Sequence, residues 1–204
     1  IYYHRLGTKQ SDDPVIFKPE KDTWIASPTV FAEQGLMTIA TYKSSDGRNR
    51  VHVFKLDAGW DKNLAKLFAD RSHELSAEFG YRFWPVGAHK RKLLFFSEQS
   101  APQGKIVRYD PATKQLAVVV PETKHTLVEQ ELTGERLFLE YIEDVKSYVA
   151  VHDMSGARVD TIKMSFPSNM WGFGGREKHR ETFFGVEAFD KPYGIYRYDI
   201  ATKK

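Results

Sequence analysis

Ile195-Tyr196-Arg197-Tyr198-Asp199-Ile200-Ala201-Thr202-Lys203 restates, with few changes, Ile106-Val107-Arg108-Tyr109-Asp110-Pro111-Ala112-Thr113-Lys114, which stands 89 positions earlier. In both, residues of alternating character run into an Asp, and a small-residue turn carrying a Lys follows. That is how a β-strand hands over to an antiparallel neighbour. Two further copies are Val51-His52-Val53-Phe54-Lys55-Leu56-Asp57 and Tyr148-Val149-Ala150-Val151-His152-Asp153, and a degenerate one opens the chain at Tyr2-Tyr3-His4-Arg5-Leu6-Gly7. The turn residues at 7, 57, 110, 153 and 199 recur every 43 to 53 positions. Four-stranded propeller blades have a period of about 40 to 50 residues, and no helical periodicity competes here. The expectation is an all-β chain: a β-propeller of four-stranded antiparallel blades, about four of them present.

Working outward, a single partial propeller domain divides into blade units at about 1–19, 23–70, 81–121, 126–165 and 168–204. The first unit supplies two strands, 2–6 and 15–17, the second bracketed by Pro14 and Pro19 as an edge strand would be. The second unit predicts strands at 24–31, 36–42, 51–56 and 65–68, with a loop at Ser44-Ser45-Asp46-Gly47. A short helical turn over 61–70 is the alternative for its last part. The third predicts 81–84, 93–96, 106–109 and 116–120; the fourth 127–132, 137–142, 148–152 and 159–164; the last 170–173, 182–186 and 195–198. Two outer strands at one end and three inner strands at the other close a four-blade ring only if 15–17 serves as the missing outer strand, which leaves 2–6 surplus, so an open arc or part of a larger ring is expected instead.

Composition agrees with this. The 204 residues are 41% hydrophobic and 28% charged, with 14 Phe, 10 Tyr and 4 Trp, a globular and β-leaning mixture. Thirty basic side chains against 27 acidic leave a formal charge of +3, too balanced to argue for nucleic acid. The longest apolar run, residues 116–120, is strand-sized rather than membrane-spanning. Without Cys, disulfide and thiol chemistry are excluded. The chain opens at Ile1 inside a repeat, with no leader pattern, and is read as a fragment; a soluble cytoplasmic or periplasmic location is expected.

Three segments carry a family resemblance: Ile1-Tyr2-Tyr3-His4-Arg5-Leu6-Gly7-Thr8-Lys9-Gln10-Ser11-Asp12-Asp13, Val120-Pro121-Glu122 after an outer strand, and Leu139-Glu140-Tyr141-Ile142-Glu143-Asp144-Val145-Lys146. In wording and order the chain resembles the β-propeller domain of the prolyl oligopeptidase family. The resemblance implies a seven-bladed propeller covering an α/β-hydrolase peptidase domain, with a tunnel that admits short peptides and excludes folded proteins. It also implies that the Ser-Asp-His triad lies in the hydrolase domain, outside these residues.

The residues themselves offer little chemistry. No segment fits the Gly-x-Ser-x-Gly elbow that exposes a catalytic serine; Met154-Ser155-Gly156 is nearest, and the repeat makes it a hairpin turn. His4, His52 and His152 recur on third strands, while His73, His89, His125 and His179 fall in loops without ligand-like partners at i+2 or i+4, so no metal is expected. Trp171-Gly172-Phe173-Gly174-Gly175 lacks the Lys-Ser or Lys-Thr and helix of a phosphate loop, and its glycines read as room for crowded backbones. His89-Lys90-Arg91-Lys92 and Arg176-Glu177-Lys178-His179-Arg180 occupy the same hairpin in two blades, hence one face, which would dock an acidic surface or steer acidic peptide ends if the tips are not merely solvated.

First strands of blades face a propeller's tunnel, which makes Ser27, Thr29, Arg82, Glu129, Glu131 and Asn169 candidates to line it, subject to strand register. No catalytic residue and no cofactor is expected. The functional expectation is a non-catalytic propeller portion of a prolyl oligopeptidase-like serine peptidase, gating short proline-containing peptides toward a peptidase domain elsewhere. The alternative is a stand-alone propeller-type binding scaffold forming a homodimer through open strand edges. A propeller lectin or glycosidase is disfavoured because the aromatics alternate along strands as core residues do.

Overall fold

The computed structural model describes residues 1–43, 45–69, 74–75 and 78–204. Its strands form four antiparallel meanders in chain order. The first holds β1 (Ile25–Phe31), β2 (Leu36–Tyr42) and β3 (Asn49–Lys55); the second β4 (Phe83–His89), β5 (Lys92–Ser97), β6 (Lys105–Asp110) and β7 (Gln115–Val120). The third holds β8 (Thr126–Thr133), β9 (Arg136–Glu143), β10 (Lys146–His152) and β11 (Arg158–Ile162); the fourth β12 (Asn169–Gly172), β13 (Glu181–Ala188) and β14 (Lys191–Asp199). The all-β propeller architecture is therefore present.

The core lies between sheets rather than inside any one of them. Successive strand residues point to opposite faces, and the middle strands are apolar on both. On β5, Leu93 and Phe95 join Leu36, Val51 and Val53 of the first sheet, whereas Leu94 and Phe96 join Leu137, Leu139 and Tyr141 of the third. On β10, Tyr148 and Ala150 face the second sheet, while Val149 and Val151 meet Met170, Phe184 and Val186 of the fourth. This is why Leu93-Leu94-Phe95-Phe96 shows no polar alternation: its neighbours bury both faces, and each slice is stabilised by the next. First strands are edges and are poorer in apolar residues. Pro28 and Pro85 sit on β1 and β4, where a missing N–H is tolerated.

The repeated Asp earns its recurrence through turn chemistry. Asp110 Oδ1 accepts from Ala112 N at 2.9 Å, and Asp199 Oδ1 from Thr202 N at 2.8 Å and Ala201 N at 3.0 Å. The Lys that ends each turn, Lys114 or Lys203, takes a left-handed φ of 59° or 58° and donates its N–H back to the Asp carbonyl. Asp153 builds the third version, accepting from Ser155 N and Oγ and from Ala157 N. Met154-Ser155-Gly156 is thus a hairpin turn, with Ser155's hydroxyl occupied in it. Side-chain and backbone donors hold all three carboxyls below the usual range, with Lys92 first for Asp110, Ser155 for Asp153 and Thr202 for Asp199.

Three expectations need correction. Residues 65–68 are not a strand but part of α1 (Leu64–Ala69), preceded by a 3₁₀ turn at Trp60–Lys62. Leu64, Leu67 and Phe68 form one helical stripe against Phe54 and Phe17, and Asn63 Oδ1 caps the first turn through Lys66 N at 3.3 Å. The place beside β3 goes instead to Glu74, which makes a single antiparallel bridge with His52, and to Leu75 N, which bonds Val51 O at 2.9 Å. Second, the opening segment forms one bridge, Tyr2 with Val15, rather than two strands; its hold on the fold is Phe17, buried in the cluster with Met37 and Ile39. Third, β4 starts at Phe83 and continues to His89, beyond the expected 81–84, because a register shift between Pro85 and Gly87 absorbs the Pro-x-Gly interruption. Ser44 and His73 of the expected loops, and Asp70 at the end of the expected helical turn, lie outside the described residues.

Buried polar clamps join the sheets at their ends. Asn49 on β3 donates Nδ2 to Phe83 O at 2.5 Å and accepts Phe83 N at 2.8 Å through Oδ1, bracketing the first residue of β4. Between the third and fourth sheets, Ser147 Oγ donates to Ser168 O at 3.0 Å and Glu140 Oε1 accepts from Met170 N at 3.1 Å. No helix among the described residues is long and apolar enough to cross a membrane.

Candidate functional site

The hairpins that join first to second strands converge at one end of the four sheets. They are the 3₁₀ turn Ala32–Gln34 after β1, the Lys90-Arg91 turn after β4, the Gly134-Glu135 turn after β8 and the longer 173–180 loop after β12. Lys90 and Arg91 take φ of 48° and 57°, and Gly134 and Glu135 both take 56°, the geometry that lets two-residue turns follow strand twist. The 173–180 loop crosses toward the others. Gly134 N donates to Arg176 O at 3.1 Å, and Thr133 Oγ1 to Phe173 O at 2.7 Å. A Cβ on Gly175 would come within 2.5 Å of Thr133 Cγ2, so glycine is what permits this approach.

Glu177, at the loop's tip, reaches the two more distant hairpins. Its Oε1 lies 2.5 Å from His89 Nδ1 and its Oε2 accepts from Gln34 Nε2 at 2.9 Å, while Gln34 Oε1 accepts from Arg91 N at 2.7 Å. Four residues from the hairpins of three sheets are thereby tied in a chain of hydrogen bonds. Beneath it is a cavity of about 470 Å3, lined among others by Phe31, Gln34, Val86, Glu131, Leu132 and Glu177.

The six sequence-predicted lining residues separate on inspection. Glu131 lines this cavity; burial, and then the charge of Glu129, pushes its carboxyl up. Glu129 is exposed two residues earlier on β8, and Ser27 and Thr29 are exposed on β1. Asn169 is exposed at the opposite end of its sheet, where β12 begins. Arg82 precedes β4, and its guanidinium is clamped on Glu98, which is itself paired through its backbone N–H to Arg82 O at 3.1 Å. The basic clusters are also less free than their composition suggests: Arg91 pairs with Asp57 at 2.9 Å and Lys92 with Asp110 at 3.0 Å.

Along all of its residues, 1–204, the chain matches the family model described as the prolyl oligopeptidase N-terminal beta-propeller domain. The chain belongs to that family. Among curated relatives it is 23% identical over 214 residues to a prolyl endopeptidase of Elizabethkingia meningoseptica, covering 99% of this chain and 28% of the relative. It is 27% identical over 205 residues to prolyl oligopeptidase A of Galerina marginata, covering 97% of this chain and 26% of the relative. A solved prolyl endopeptidase superposes with a TM-score of 0.86 at 28% identity, over 99% of this chain and 29% of that one. Oligopeptidase B from Leishmania major shares the fold, with a TM-score of 0.77 at 13% identity, over 100% of this chain and 29% of that one. The chain thus spans less than a third of the length of the relatives it matches.

Within the prolyl oligopeptidase propeller family, then, this segment contributes sheets, hairpins and the cavity beneath them. Sequence reasoning put the two basic hairpins on one face but missed Gln34, Glu135 and Glu177 as partners. Their proximity is set by three turns whose chain separations carry no motif. A carboxylate at the tip of an otherwise basic loop, as at Glu177, was the available signal.

Proposed function

We propose that this chain is the substrate-filtering part of a prolyl oligopeptidase-like serine peptidase, gating short proline-containing peptides toward an α/β-hydrolase domain outside these residues. The observation that carries the reading is the convergence of four first-strand hairpins over one cavity, in a chain that matches the propeller family along its whole length. Hairpins tied together by Glu177 form a rim with little slack, so a peptide must be narrow to pass, and the filter works by shape. Glu131 in the cavity, with Ser27, Thr29 and Glu129 exposed on β1 and β8, supplies its polar lining, and the carboxylates on β8 give that lining a preference for cationic over anionic peptides.

Two measurements test this. The 204-residue chain alone does not cleave a Gly-Pro chromogenic peptide; inhibitor-sensitive turnover by it would contradict the reading. In the complete polypeptide that carries the segment, Glu177→Ala loosens the rim and raises kcat/KM for a thirty-residue proline peptide relative to a tetrapeptide, whereas an unchanged ratio sinks the filter.

A second reading has its own observation. The outer face of the fourth sheet exposes Phe183, Tyr193 and Ile195, with Trp171 stacked on Tyr193 at 5.4 Å. An apolar face of this kind is covered by another blade in a larger ring or by a second copy of the chain. Light scattering distinguishes them: a monomer that stays soluble removes the homodimer, and a dimer lost in Ile195→Lys supports it.

A further inference from the structure

We propose that His89, Glu135 and Glu177 form a zinc-class divalent-cation site that ties three blades together. The three side chains come from the second, third and fourth sheets, and one ligand atom from each lies within 4.8 Å of the other two. Two ligands on one zinc at about 2.1 Å sit about 3.4 Å apart in tetrahedral geometry. His89 and Glu177, now 2.5 Å apart, must open by about 1 Å to share a metal, and Glu135 must close by a similar amount. Glu135 stands exposed on a two-residue turn and is free to make that movement.

Charge argues for a cation here. Six basic residues occupy the same hairpins, yet among the described residues no Lys or Arg pairs with Glu135 or Glu177; Arg91 and Lys92 turn to Asp57 and Asp110 instead. Two carboxylates are therefore brought together with an imidazole and no fixed cation. Glu177 also has the orienting partner expected of a metal ligand, since Gln34 Nε2 holds its second oxygen at 2.9 Å. One nitrogen and two carboxylate oxygens suit zinc and its transition-metal neighbours. Calcium and magnesium prefer all-oxygen sites. The remaining coordination positions would be taken by water. Bound there, the ion would crosslink three hairpins whose sheets otherwise meet through side-chain packing and a few hydrogen bonds. This inference is independent of the peptide filter proposed above.

The test uses the chelator-treated 204-residue chain, titrated calorimetrically with ZnCl2 and melted with and without it, with MgCl2 in parallel. One saturable zinc site and a Tm increase reversed by EDTA are expected. Glu135→Gln should weaken zinc binding by about a hundredfold and Gln34→Ala by about tenfold, the latter through loss of the outer partner. Glu135→Gln should leave the metal-free Tm in place, so failure to fold does not confuse the result. Absence of saturable zinc binding, an equal response to magnesium, or zinc affinity unchanged in Glu135→Gln would each overturn the proposal.

Discussion

Replacing Asn49 by Ala should weaken the joint between the first and second sheets more than any exposed substitution. Asn49 is fully buried, and its carboxamide satisfies both the N–H and the C=O of Phe83, a residue only 1% exposed. Each lost bond is worth about 0.5 to 1.5 kcal/mol net, and each Phe83 group left without a partner costs about 1 to 3 kcal/mol. Water entering the vacated space recovers part of that, leaving a destabilisation of about 3 kcal/mol. For a chain of this size that lowers Tm by roughly 6 to 12 °C. Urea unfolding followed by far-UV circular dichroism and by tryptophan fluorescence reads it. Asn49→Asp sharpens the test: it keeps the acceptor for Phe83 N but sets an oxygen against Phe83 O. That carboxyl is driven up by burial, so the deficit grows as pH rises from the unfolded carboxyl pKa of about 3.9 through the raised folded value, and shrinks as pH falls and an O–H donor appears. A loss under about 0.5 kcal/mol for the Ala variant, the level of a neutral surface change, would refute the reasoning.

Among the described residues the buried Tyr141 hydroxyl has no hydrogen-bond partner, so Tyr141→Phe should be neutral or stabilising by about 1 kcal/mol in thermal melts. Burial also pushes its phenol up to about 12. A folded pKa above the unfolded value of about 10 means that stability is intact below pH 10 and is lost as pH rises from there toward 12, and Tyr141→Phe should move the alkaline unfolding midpoint upward. Gly156→Ala should cost about 2 to 4 kcal/mol in urea, because φ is 94° and the new Cβ would land on the carbonyl oxygen of Val119 in the neighbouring sheet. A Gly156→Ala melt indistinguishable from wild type would show that this turn can move away from Val119.

The blade order was legible because its signal is local. The Asp-led turn at Asp110, Asp153 and Asp199 is written within a few residues, and both-face burial leaves apolar runs such as 93–96 that periodicity reports directly. Helix α1 misled because Leu64, Leu67 and Phe68 in a short apolar run satisfy a strand or a single helical turn, and only docking on Phe54 and Phe17 chooses between them. Arg82 was placed on a first strand when its role is to hold Glu98 just before one. The hairpin cluster was illegible for a different reason. Gln34, His89, Glu135 and Glu177 come from four sheets, and side-chain register at their turns decides that they meet.

Because the apolar rows are shared between neighbours, odd and even positions of a middle strand answer to different seams. Truncating Phe95 opens the seam toward the first sheet, while truncating Phe96, its immediate neighbour in sequence, opens the one toward the third. The parity of a residue, more than its depth or its type, therefore selects where the arc would part under load. Adjacent codons could in this way tune two separate hinges of the same protein.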